Sequence, residues 1–304
     1  MAQKEVKQRI GSVKNVQKIT RAMEMVAAAR LRRAEQRIES LRPYASAIRR
    51  MTRQAAEAAG NVPNVPILED RPDASTVAIL ILTGDRGLAG AFNSQILRAA
   101  MRRGTELEGE GKTVLYYASG RRGVSSLTFR KKETAGAYTG HTDRPAYANA
   151  REIGEDLMSA YIDGKVDRVE VVYNQYVSPL VQNVTQEILL PLQQATVKEA
   201  SEMQEDIDAS KHEETSGHTA LTEYEPDPAE ILQRLVPDYV EISLYRALLE
   251  STASEHGARM TAMRSASENA GDIIKDLTLQ LNRERQADIT QEIMEVVAGA
   301  ESLV

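Results

Sequence analysis

Between Ala2 and Gly60 the chain has one glycine, Gly11, and one proline, Pro43, so it lacks the punctuation that normally ends a helix. Ala27, Leu31, Ala34, Ile38, Leu41, Ala45 and Ile48 follow one another at alternating spacings of four and three, which is the seam of a coiled coil. Val16, Ile19, Met23 and Val26 repeat the spacing upstream, out of phase with the later run. A helix over this whole segment would be roughly 85 Å long at the standard rise per residue, beyond the range of ordinary globular helices. Pro43 lacks a backbone donor, so the spacing admits either one helix bent locally or two helices broken at Arg42-Pro43.

The far end of the chain, residues 229–304, has the same grammar. Met260, Met263, Ser267, Ala270, Ile274, Leu277 and Leu281 form a second seam, and no proline follows Pro237. Small residues at Ser267 and Ala270 would let a partner helix approach closely. The N-terminal segment carries fourteen Lys/Arg against five Glu, while residues 239–304 carry six Lys/Arg against eleven Asp/Glu. Opposite charge suits pairing of the two ends as an antiparallel coiled coil, although exposed ion pairs contribute only a few tenths of a kcal/mol each.

The middle, residues 61–228, reads differently. Val62-Pro63 and Val65-Pro66 open it as a linker. The run Thr76 to Leu82 is a short apolar stretch bounded by turn residues, hence a buried strand. Helices are expected over Ala91 to Arg103 and Tyr147 to Tyr161, and strands over Thr113 to Ala118, Arg168 to Tyr173 and Asn183 to Leu190. Strands alternating with helices predict a parallel-type sheet covered on both faces. The fold class is thus α/β: a long antiparallel coiled coil of the terminal helices (1–60 and 229–304) with a Rossmann-like domain inserted at 61–228.

Composition removes several jobs. There is no cysteine, which excludes disulfides, thiolate metal sites and thiol switches. The four histidines show no metal-ligand spacing, and no cofactor is expected. Gly84, Gly87 and Gly90 follow a strand, but as GxxGxxG without a Walker lysine, so a tight strand-to-helix turn is expected instead of a nucleotide site. The net charge of -6 argues against nucleic acid as a partner. The basic N-terminus lacks the apolar region of a secretory signal, and the longest apolar run, Val77 to Leu82, is far short of a membrane span. Spacing and composition give an architecture and not a job: an enzyme with helical arms for oligomerisation and a coiled-coil scaffold or signalling adaptor both fit it.

Four motifs narrow the choice. Arg9 to Asn15 followed by Lys18 to Ala28, Gly84-Asp-Arg-Gly-Leu88 with Gly90 and Asn93, Tyr224-Glu-Pro-Asp-Pro228, and Arg285 to Glu292 with Glu295 and Gly299-Ala300 together resemble the gamma subunits of F-type ATP synthases. The resemblance keeps the family's order and spans nearly the whole chain. It implies a non-catalytic central rotor shaft inside a ring of alpha and beta subunits, coupling proton flow to ATP synthesis or hydrolysis at the beta-subunit sites. The inserted domain would then face the epsilon subunit and the ring of c subunits. The implied location is peripheral, on the cytoplasmic side of a bacterial cell membrane, with membrane contact only through partners.

The resemblance also implies particular contacts. Arg285, Gln286 and Thr290 lie within two turns, with Gln286 and Thr290 on one helix face. From spacing they are an ordinary solvated face; the family would place them against beta-subunit loops. Met23, among Arg21, Arg30, Arg32 and Arg33, reads as a seam residue beside a basic stripe, and the resemblance sets it against an acidic beta-subunit loop. Tyr224 falls on the epsilon or c-ring side. Val296, Val297, Ala298, Ala300, Leu303 and Val304 make a mostly apolar tip for a sleeve at the top of the ring. The acidic stretch 197–225 has too few large apolar residues to offset its ordering entropy. It reads as a passive loop or as an electrostatic contact with epsilon.

Overall fold

A computed structural model describes residues 3–59, 67, 71, 74–192 and 228–301. The elements in chain order are α1 (Gln3–Ala59), β1 (Thr76–Leu82), α2 (Phe92–Gly109), β2 (Thr113–Ser119), α3 (Arg121–Phe129), β3 (Thr134–Tyr138), α4 (Tyr147–Ile162), β4 (Arg168–Tyr176), β5 (Gln182–Leu190) and α5 (Pro228–Glu301). The linker prolines, Tyr224, the acidic stretch 197–225 and the last residues of the apolar tip lie outside the described residues.

The described residues form two compact units. One comprises residues 30–258 and the other residues 1–29 with 259–304. In the first, the strand order is β3-β2-β1-β4-β5, with β5 antiparallel to β4 and the other neighbours parallel. This is a doubly wound sheet. β1 is buried on both faces, which is why it reads as an unbroken apolar run. Its alternate residues serve two cores. Val77, Ile79 and Ile81 pack with Phe92, Ile96 and Leu107 of α2 and Leu127 of α3. Ala78, Leu80 and Leu82 pack in the core that holds Leu157 and Tyr161 of α4, Ala45 and Ile48 of α1, and Val236, Val240, Leu244 and Leu248 of α5. At about 25 cal/mol per Å2 of apolar area, these two layers supply the main favourable contribution to the stability of this unit.

The elements expected from sequence are present, most of them longer by a few residues. Two were not expected. α3 has few large apolar side chains, of which Leu127 is buried, and β3 is an edge strand of small residues, TAGAY. Neither carries a periodic apolar signal, and both form because β2 and α2 offer them a surface.

α1 runs unbroken through Pro43, so the reading of two helices broken at Arg42-Pro43 is overturned. Pro43 is exposed, so water reaches the Glu39 carbonyl that receives no N–H from it. In the second unit α1 and α5 pair antiparallel: Gln17 donates to the Ser267 carbonyl at 3.2 Å, and Glu24 pairs with Arg264 at 2.8 Å. The phase of the upstream seam is corrected. Val16, Ile19 and Val26 are more than half exposed. The inward positions are Val6, Ile10, Val13, Gln17, Thr20, Glu24 and Ala27, all at least partly buried and in register with Leu31 and Ala34. The C-terminal seam from Met260 to Leu281 is buried or half-buried as expected.

Candidate functional site

In a doubly wound sheet, ligands bind in the crevice outside the carboxyl ends of the strands, where the strand order reverses. Here that point lies between β1 and β4. The crevice is filled by the chain itself. Ser251 to Gly257 of α5 are buried without interruption. Ser251 Oγ donates to the Leu82 carbonyl at 3.4 Å, Ser254 Oγ to the Asn174 carbonyl at 3.0 Å, and Thr252 Oγ1 faces the Thr142 carbonyl at 2.9 Å. A methyl group built on Gly84 would lie 2.7 Å from the Glu255 carboxylate. Glu255 therefore sits over the turn that leads from β1 to α2, where a bound phosphate would lie in a nucleotide-binding relative of this fold. The glycine at position 84 gives room to the chain's own helix.

The loop after β1 is tied down by Asp85. Its carboxylate accepts from the backbone N–H of Arg121 at 2.9 Å and of Gly140 at 3.0 Å, and from Thr142 Oγ1 at 3.0 Å. Burial alone would raise its pKa, but these donors hold it below the ordinary carboxylate value. Asn93 Oδ1 accepts from the Gly84 N–H at 2.9 Å and its amide donates to the Arg86 carbonyl. Gly120, between β2 and α3, packs against the start of this turn at φ 96°; a side chain there would collide with the Thr83 carbonyl. The glycine-rich segment is a braced strand-to-helix turn, as its spacing predicts.

A cavity of about 540 Å3 opens between α1 and the end of β4. Glu35, Glu39, Glu250, Arg42 and Arg246 line it, and Glu35 closes on the Tyr176 hydroxyl. The mixed charge favours neither an anion nor a cation. Among the described residues no group of three or more His, Asp or Glu is placed to hold a metal ion.

The residues singled out from sequence are not brought together. Met23 is half-buried on α1. Of the arginines around it, Arg21, Arg32 and Arg33 are exposed, whereas Arg30 pairs with Asp143 at 2.9 Å. Arg285, Gln286 and Thr290 are exposed on α5, with the Thr290 hydroxyl donating to the Gln286 carbonyl at 2.8 Å. Gln17 faces Gly271 and Glu24 faces Arg264, so α1 runs out near Arg285, and every residue from Arg285 to Ala298 is exposed. Sequence reading missed Ser251, Thr252, Ser254 and Glu255. Their signal is a run of small and polar residues between two apolar stretches of one helix.

Two long terminal helices paired antiparallel, with a doubly wound domain inserted between them whose ligand crevice is closed by one of those helices, define a coiled-coil shaft protein. A family model described as ATP synthase matches residues 2–303. The chain is 42% identical over 300 residues to the ATP synthase gamma chain of Rubrobacter xylanophilus, covering 99% of this chain and 98% of that one. It is 38% identical over 301 residues to that of Thermobifida fusca, covering 98% and 95%. Among solved structures, a chain of the Euglena gracilis mitochondrial ATP synthase (OSCP/F1/c-ring) matches with a TM-score of 0.67 at 15% identity, covering 99% of this chain and 94% of that chain. One from the Tetrahymena thermophila mitochondrial ATP synthase central stalk and c-ring matches at 0.60 and 23%, covering 82% and 99%. The chain belongs to the ATP synthase gamma-chain family. It is a rotor shaft and a non-catalytic subunit.

Proposed function

We propose that the helix pair turns inside a ring of alternating alpha and beta subunits, while the doubly wound domain meets the epsilon subunit and the c-subunit ring. Met23, Arg285, Gln286 and Thr290 contact beta subunits, and Tyr224 lies on the epsilon or c-ring side. The complex is peripheral, on the cytoplasmic face of a bacterial membrane. No helix among the described residues is long and apolar enough to cross a membrane.

The observation that carries this reading is the exposed end of α5. Ile289, Ile293, Met294, Val296 and Val297 are all exposed there, as are Val16, Ile19, Met25 and Val26 on α1. On α1 these residues lie on the face turned away from α5, and on α5 they lie beyond the point where α1 runs out; exposed apolar residues at helical spacing in both places are surface for a further partner. The upstream run read as an out-of-phase seam is such a second face. The test is Gln286→Ala with Thr290→Ala in the assembled complex. ATPase turnover per complex is expected to fall several-fold while assembly holds. Wild-type turnover would reduce the two residues to plain surface.

A further inference from the structure

A rotor shaft has to carry torque, and apolar packing is poorly suited to it. Contacts between aliphatic side chains are non-directional, so an apolar groove resists the roll of a helix only through the apolar area that the roll exposes and fixes no particular angle by bond geometry. Where α5 crosses the carboxyl ends of the strands, its contacts are directional. At about 100° per residue, Ser251 and Glu255 point within about 40° of one another, toward the end of β1. Thr252 lies to one side of them, toward the Thr142 carbonyl, and Ser254 to the other, toward Asn174 of β4. The grip therefore spans about 160° of the helix circumference, close to half. Rolling in one sense breaks the Ser254 bond, and rolling in the other breaks the Thr252 bond. Glu255, seated over Gly84, obstructs sliding along the axis.

We propose that Ser251, Thr252, Ser254 and Glu255 act as a spline: positioning residues that lock α5 against rotation in the doubly wound domain, so that torque reaches the rest of the shaft without slip. The proposal rests on the rotor function and adds to it the place where the head holds the shaft. It needs no ligand in the crevice. The small side chains at 251, 252 and 254 follow from it, because a larger residue would lift the helix off the carbonyls it grips.

Thr252 shares its one hydroxyl proton between the Thr142 carbonyl and its own Leu248 carbonyl at 2.8 Å, so Ser254 makes the firmer bond. The test is the double variant Thr252→Val, Ser254→Ala in membrane vesicles that carry the assembled complex. ATP hydrolysis and ATP-driven proton uptake are measured per complex. Each lost hydrogen bond shifts the balance of gripped and slipped helix by roughly fivefold. Proton uptake per ATP hydrolysed is expected to fall by at least about twofold with hydrolysis retained, and Thr252→Ser, which keeps the hydroxyl, stays at the wild-type ratio. An unchanged ratio in the assembled double variant would overturn the proposal. A fall in complex yield with the ratio unchanged would also overturn it, because it would make the four residues merely structural. Loss of hydrolysis and pumping together in correctly assembled complexes, with Thr252→Ser equally impaired, would count against rotor function itself as well as against the spline.

Discussion

Glu170 is a carboxylate with no solvent exposure in the middle of the sheet. Arg103 Nε and Nη2 each donate to it at 2.9 Å, Gln186 Nε2 donates at 2.6 Å, and Arg168 Nε approaches to 3.1 Å. Burial pushes its pKa up, but Arg103, Arg168 and Gln186 hold it below the ordinary glutamate value, so it stays charged. Glu170→Gln keeps the shape and removes the charge. Arg103, itself 19% exposed, then loses a bidentate partner while keeping only a 3.6 Å approach to Glu106. Breaking a buried pair from one side costs about 3 to 5 kcal/mol, and the residual access of Arg103 to water and Glu106 sets the expectation near about 3 kcal/mol. Arg103→Met should cost a similar amount, because it leaves the carboxylate to Arg168 and Gln186. The double variant Arg103→Met, Glu170→Gln should cost clearly less than the sum, since neither charge is then stranded. All 11 tyrosines lie between residues 30 and 258, so tyrosine emission during urea unfolding of the full chain reports on this unit and not on the helix pair. Because the folded pKa is lowered, this stabilisation is complete above the ordinary carboxylate range and lost as pH falls through the lowered value. Glu170→Gln should flatten that acid limb. A cost under about 1 kcal/mol, or a double variant that sums its singles, would refute the account.

Two further outcomes follow from the packing of the doubly wound domain. A methyl group on Gly104 would lie 1.9 Å from the hydroxyl of buried Tyr116, so Gly104→Ala should cost about 2 kcal/mol despite its better helix propensity. Tyr116→Phe in the same chain should recover about half of that, as read by urea midpoint, because it deletes the colliding atom. Burial lowers the pKa of His141 below its ordinary value of about 6.5, although Asp85 and Glu152 pull it back. Its Nε2 lies 3.0 Å from Ser119 Oγ. A histidine with a lowered folded pKa contributes stability that is full above about 6.5 and is lost as pH falls toward the folded value. The urea midpoint should therefore drop between about pH 7.5 and about pH 5.5, and His141→Gln should remove most of that drop.

Periodicity made the two long helices and the core strands legible, and the opposite charge of the two chain ends pointed to their antiparallel pairing. Apolar residues at four-three spacing can be buried only along one stripe, and an unbroken apolar run bounded by turns must lie inside a sheet. The resemblance of four ordered motifs supplied the family. Sequence alone could not settle which of two stripes on α1 faces inward. Apolarity favoured Val16, Ile19 and Val26, yet the pairing turns Gln17, Thr20 and Glu24 inward, because Ser267, Gly271 and Arg264 of α5 meet the polar residues with complementary groups. A seam position is defined by its partner, and the partner lies some 250 residues away along the chain. The same holds for α3 and β3, which form on surfaces provided by their neighbours, and for Gly84. In sequence that glycine belongs to a GxxGxxG run whose spacing argues for a tight turn and against a nucleotide site. Only the tertiary structure brings Glu255 over it and puts the chain's own helix where a ligand would bind.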